Sequence, residues 1–157
     1  MEALKQRFGG LVRSRPSKVG PILRIALAVA IWPHGAQKLL GWFGGPGFEG
    51  AMAQLTGFFG LPELIAFLVI AIEFFGPIAL ALGFLSRVAA AGVAAVMVGA
   101  VATTHWTNGF FMNWTGGQAG EGFEYHVLAV AIAIAVMVMG SGVLSVDRRL
   151  ASATEAS

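Results

Sequence analysis

Six ionisable residues lie inside or beside long apolar runs of a 157-residue chain, and their types suit proton exchange and hydrogen bonding to a small polar group. His34 and Lys38 are four apart, stacked on one helical face with Gln37 beside them. Glu73 falls near the middle of a second apolar run, His105 ends a third, and Glu124 and His126 open a fourth. At membrane depth each such group costs about 2.5–3.5 kcal/mol, so these residues are expected to face the protein interior and pair. Carboxylates and imidazoles accept and return protons, which makes Glu73, His34 and Glu124 the catalytic candidates. Lys38, His34, His105 and His126 carry N–H donors and are the candidates for holding a cofactor.

Two prolines sit beside these positions. Pro77 follows Glu73 by four residues and removes the helical donor for the Glu73 carbonyl, and Pro33 does the same to Val29. Freed carbonyls inside a bilayer need side chains, water or a ligand. The expected picture is a polar cavity opening outward, walled by "PHGAQK" and floored by Glu73, with His34 the deepest histidine. Glu124 and His126, two apart, project to opposite sides of a helix, so only one points inward with ease.

Each residue also has a purely structural reading. Glu73 as a neutral acid hydrogen-bonded to a neighbouring helix needs no function. Lys38 reaches the outer headgroups by snorkelling, and His105 and His126 are hydrated near an interface. Trp32, Trp42, Trp106 and Trp114 read first as interfacial anchors, although Trp114 and Tyr125 also supply donors at the outer edge. "GFFGL" and "GFFMNW" either cap the cavity as interfacial turns or pack on its rim.

The elements that must position these groups are set by composition. With 57% hydrophobic and 11% charged residues and a mean hydropathy of +0.77, the chain is a membrane protein and not an ordinary soluble domain. The absence of cysteine excludes disulfides, thiolate ligands and CxxC redox chemistry. The 22 glycines suit helices packed backbone-close in lipid. A span needs roughly 20 apolar residues, and four segments qualify: Pro21 to Leu40, Leu64 to Leu85, Arg87 to His105, and one from near Phe123 whose uncharged stretch runs from Val127 to Val146. The basic N-terminus does not read as a cleavable signal, and none is expected.

Lysine and arginine orient the spans. Lys5, Arg7, Arg13, Arg15, Lys18 and Arg24 precede or enter the first, Arg87 lies in the turn between the second and third, and Arg148 and Arg149 lie in the tail. The other two connections carry neither residue type and are expected outside. The fold expected is all-α: a four-helix transmembrane bundle with both termini cytoplasmic. It divides into a basic segment at 1–19, a membrane domain at 20–147 and a short tail at 148–157. Leu4, Phe8, Leu11 and Val12 among the N-terminal charges also allow that segment to lie on anionic lipid, against the simpler reading of orienting charge.

The ordered motifs "HGAQKLLGWFGG", "GLPELIAFLVIAIEFFGPIALALGFLSR", "THWTNGFF" and "GFEYHVLAVAIAIAV" with the closing "GSGVLSVDRRL" resemble the DoxX family of bacterial membrane proteins over about residues 20 to 150. The positions that carry the resemblance are His34, Lys38, Glu73, Arg87, His105 and Glu124, with Arg87 a topological marker. The resemblance implies a multi-pass protein of the bacterial cytoplasmic membrane. Some relatives take part in quinone-linked sulfur oxidation or are associated with thiols, oxidative stress or catecholic compounds.

Two functions follow as expectations. In the first, the chain is the quinone-binding component of a membrane oxidoreductase. His34 or Lys38 donates to a quinone carbonyl and Glu73 or Glu124 exchanges protons with the outside. No haem, flavin or nucleotide motif is present, so electrons come from a substrate or an exported redox enzyme. In the second, the same pocket holds a small ligand, or the outer loops scaffold a partner, without chemistry. No metal is expected, since Glu-x-His at 124 and 126 is not the Glu-x-x-His of di-iron bundles. Lipid is an expected partner and nucleic acid is not; transport would require a homo-oligomer.

Overall fold

The computed structural model describes residues 10, 12 and 14–155. Lys5, Arg7 and Arg13, with Leu4, Phe8 and Leu11 of the lipid-surface reading, lie outside the described residues. From Val19 on, the described residues form α1 (Val19–Leu40), α2 (Gly47–Ala53), α3 (Glu63–Leu82), α4 (Ser86–Ala100), α5 (Glu124–Met139) and α6 (Val146–Glu155). Short 3₁₀ turns occupy Trp42–Gly44 and Trp106–Asn108, and π-helical turns occupy Gln54–Phe58 and Val101–His105. Among the described residues, three helical stretches are long and apolar enough to cross a membrane: Val19–Leu40, Glu63–Leu82 and Ser86–Asn108, the last being α4 with its π and 3₁₀ continuation.

The fourth apolar run departs from expectation. Val127 to Val146 is not one span, because α5 stops at Met139 after 16 residues, about 24 Å of helix. Gly140 adopts φ 77°, ψ −168°, a conformation essentially restricted to glycine, and turns the chain out of the helix. The following residues form a turn, and the expected tail is already helical as α6.

The long helices pack in a ring, α1 on α3, α3 on α4, α4 on α5 and α5 back on α1. Each buries a stripe at three- and four-residue spacing: Ala66, Ile70, Glu73, Pro77 and Leu80 in α3, and His126, Ala129, Ala133 and Val136 in α5. Leu27, Ile31, Leu80, Val93 and Val136 fill the shared core. Small residues let the backbones close up. At Gly35 the approach is extreme, since a Cβ there would stand 2.2 Å from the Glu73 carbonyl oxygen. That carbonyl is the one Pro77 deprives of a donor, and the glycine directs a Cα–H toward it.

One end of the ring is closed by a buried polar clamp. Arg24, 3% exposed, donates from Nε to the Ser141 carbonyl (3.2 Å), from Nη1 to those of Leu80 (2.9 Å) and Ala81, and from Nη2 to that of Leu144 (2.7 Å). It thereby ties the C-terminal end of α3 to the turn after α5. Asp147, 1% exposed, caps α4 from a distance by accepting the N–H groups of Leu85 (2.6 Å) and Ser86 (3.0 Å). Ser141 Oγ, 2.8 Å from Ser86 Oγ, donates to the same carboxylate. The clamp also holds strain, because Leu85 and Leu144 have φ of 45° and 57°, which non-glycine residues adopt only when their surroundings force it. The chain before α1 joins this end through Arg15 N–H to the Met139 carbonyl and Val143 N–H to that of Ser17.

Candidate functional site

The opposite end of the ring is open. A cavity of about 520 Å³ lies between α3 and α4, with Lys38 and Glu73 at its polar end. The size falls within the range of small-molecule sites. Its walls are chiefly apolar, including Leu55, Phe59, Leu68, Val69, Ile72 and Val96, while Gln54, Thr103, Thr104 and His105 contribute polar groups.

Glu73 reaches the cavity because it occupies the inward stripe of α3, where it is 5% exposed. Lys38 meets it from the last turn of α1, with Nζ 2.5 Å from Oε2. This contact is an ion pair. Gly35, one turn earlier on α1, sets the distance by letting the helix backbone lie against Glu73. Both π turns face the cavity: Gln54 and Leu55 come from one, and Thr103, Thr104 and His105 from the other. Such turns widen a helix locally and occur often at functional sites. Of the two aromatic stretches, "GFFGL" lines the cavity through Phe59 and Leu61, whereas the residues of "GFFMNW" do not line it.

The histidines divide. His105 lines the cavity, and its ring centroid is 4.2 Å from that of His126. His105 Nδ1 lies 2.8 Å from the Glu121 carbonyl, and because a carbonyl only accepts, Nδ1 carries the proton. His126 lies behind it, 7% exposed, and its buried Nδ1 has no hydrogen-bond partner. His34 is exposed and not the deepest histidine, because Gly35 and not His34 continues the buried stripe of α1. It sits beside Tyr125, with ring centroids 6.4 Å apart, and within Coulombic range of Lys38 and Glu73. Tyr125 itself donates to the Ala30 carbonyl at 3.2 Å, bridging α5 to the helix that Pro33 interrupts.

Glu124 turns away from the cavity, as the two-residue offset from His126 requires. Its Oε1 accepts the Met112 N–H (3.0 Å) and the Trp114 indole N–H (3.4 Å), which fastens the loop before α5. The structure thus brings Lys38, Glu73 and His105 to one cavity with His126 behind His105, leaves His34 on the flank and gives Glu124 to the loop. Arg87, expected as a topological marker, donates to the Met137 carbonyl. Among the described residues, no three histidine, aspartate or glutamate side chains converge for a metal.

The arrangement can hold a molecule with a hydrogen-bonding head and an apolar body: Lys38 donates, Glu73 accepts, and the chiefly apolar walls suit the body. Sequence reasoning missed Gln54, Thr103 and Thr104, whose only signal was polarity near an expected interface. It also missed the clamp residues Ser86 and Ser141. The "GSG" at 140–142 was the available sign that the last apolar run breaks there.

No curated protein and no solved structure matches this chain. The profile of the DoxX family matches residues 21–106, just over half of the chain, and takes in α1, α3, α4, Lys38, Glu73 and His105. The chain belongs to the DoxX family and is a multi-pass membrane protein.

Proposed function

We propose that this protein crosses the bacterial cytoplasmic membrane four times as a helical bundle, with the Arg24–Asp147 clamp and both termini on the cytoplasmic side. The support is the lysine and arginine distribution: Arg15, Lys18, Arg87, Arg148 and Arg149 all belong to segments at the clamp end. In this reading α5 crosses in spite of its 16 residues, extended by the turn that Gly140 begins and by local bilayer thinning. The cavity then opens in the outer half of the membrane.

The function that fits this cavity is binding of a quinone as part of a membrane oxidoreductase system. The single observation that carries it is a cation–carboxylate pair lining a chiefly apolar cavity among the helices. Lys38 would donate to a quinone oxygen, and Glu73, released from Lys38 in the same movement, would pass protons. Reduction of the quinone takes two electrons and two protons; the electrons come from a substrate or from an exported redox partner docked on the outer loops. A second reading, ligand binding without turnover, is favoured by the closed Lys38–Glu73 contact, which leaves neither group free as an acid or base.

The test is equilibrium titration of a short-tailed quinone into purified protein in lipid. Saturable one-to-one binding that weakens by about tenfold in Lys38→Ala is expected. Absence of saturable binding, or binding indifferent to Lys38, overturns the quinone reading.

A further inference from the structure

The cavity wall is open along one side. Ile65 and Leu68 on α3, and Ala95 and Gly99 on α4, both line the cavity and are exposed. They are the two lips of a gap between these helices. Leu68 lies five residues inside the Glu63 end of its apolar stretch, and Gly99 and Ala95 lie nine and thirteen residues inside the Asn108 end of theirs. With Ile65 two residues inside the Glu63 end, the gap runs about 3–20 Å from the cavity end of the helices at 1.5 Å per residue, and most of its length lies at the depth of acyl chains.

The α4 lip is unusually bare. A Cβ added to Gly99 meets nothing within 4 Å. The α1–α3 seam is the opposite, since backbone touches backbone at Gly35 and Glu73. A ligand arriving from water would use the polar rim at Gln54 and Thr103, both exposed. The apolar slot serves a molecule already dissolved in the membrane.

We infer that the cavity is filled sideways from the bilayer, through the slot between α3 and α4, by a single-tailed amphiphile. Its hydrogen-bonding head reaches Lys38 and Glu73, and its chain stays between Leu68 and Gly99. The inference rests on the reading of this cavity as a ligand site, and does not require the head to be a quinone. Apolar lips desolvate the chain before the head meets the ion pair, so tailed molecules are selected over equally polar tail-less ones.

The experiment uses the full chain in lipid nanodiscs and three probes: a decyl-tailed quinone, a spin-labelled stearic acid and a sulfonated quinone without a tail. Gly99→Trp plugs the slot at a position where an added Cβ meets nothing within 4 Å. Val98→Trp puts the same ring on a neighbouring exposed residue that does not line the cavity. Gly99→Leu is the smaller plug should the tryptophan variant aggregate. The expected result is binding of at least one tailed probe that weakens by about tenfold or more in the plugged variant and is unchanged in Val98→Trp. Any binding of the tail-less probe should be unaffected. If the stearic acid behaves this way and neither quinone binds, the side entrance stands and the quinone reading falls. If the tailed quinone binds equally well with the slot plugged, the quinone reading stands and the side entrance is overturned. Equal loss of tailed and tail-less probes, or no binding of either tailed probe to the unaltered chain, also overturns it.

Discussion

At the clamp end, Arg24, Ser86, Ser141 and Asp147 are buried, and each is engaged by hydrogen bonds that join α1, α3, α4 and the turn after α5. At the cavity end, Glu73 and His126 are buried to a similar degree. There, however, one carboxylate oxygen is held by a single cation and one imidazole nitrogen has no partner. A saturated network in a low-dielectric interior specifies one arrangement of helices, whereas an incomplete one is a cost. In the function proposed above, the first network serves the fold and the second a ligand. Adjacency to a cavity of about 520 Å³ supports the same division.

Breaking the clamp should give the largest effect. Asp147→Ala leaves the Leu85 and Ser86 N–H groups open, together with the Arg24 charge that Asp147 balances, and should cost about 3–5 kcal/mol in detergent unfolding. Arg24→Lys should not rescue an Arg24→Ala loss, because one ammonium cannot serve four carbonyls spread over two elements. Next comes Gly35→Ala, which drives a methyl into the Glu73 backbone and should cost toward the upper end of about 1–3 kcal/mol. It should also part Lys38 from Glu73, read as weaker ligand binding in excess of the stability loss.

Smaller effects sharpen the cavity side. Lys38→Met strands the Glu73 carboxylate and should cost about 1–2 kcal/mol, less than a fully buried pair because the Lys38 side chain is 27% exposed. Adding Glu73→Leu to it should recover most of that loss, since an apolar pair needs no compensation. His126→Phe should change stability by no more than about 1 kcal/mol, because the buried Nδ1, one of the two nitrogens it removes, has no hydrogen bond to lose. A loss comparable to Asp147→Ala would erase the distinction between the two ends.

The sequence made three apolar spans readable, as well as the convergence of Lys38 and Glu73, because polar groups at membrane depth must find one another. It also showed that Glu124 and His126 diverge. Which of the two turns inward follows from the α5 stripe, where His126 stands three residues before Ala129 and seven before Ala133. The clamp was hidden because its bonds join residues far apart in the chain, such as Arg24 and Ser141. Arg24 carries the same charge as the orienting residues around it, and nothing local separates it from them. Asp147 closes the expected membrane domain beside two arginines, and nothing local shows that it caps the N–H groups of Leu85 and Ser86. The π turns carry no pattern distinguishable from ordinary helix, so the widening that brings Thr103 and His105 to the cavity emerges only in three dimensions.

The most direct measurement is mass spectrometry of the small molecules that remain with the purified protein after mild detergent extraction, comparing the unaltered chain with the Lys38→Met/Glu73→Leu double variant. The account predicts near-stoichiometric quinone with the unaltered chain and its loss from a double variant that still elutes as a single folded species. Equal quinone in both, or none in the unaltered chain, would contradict it.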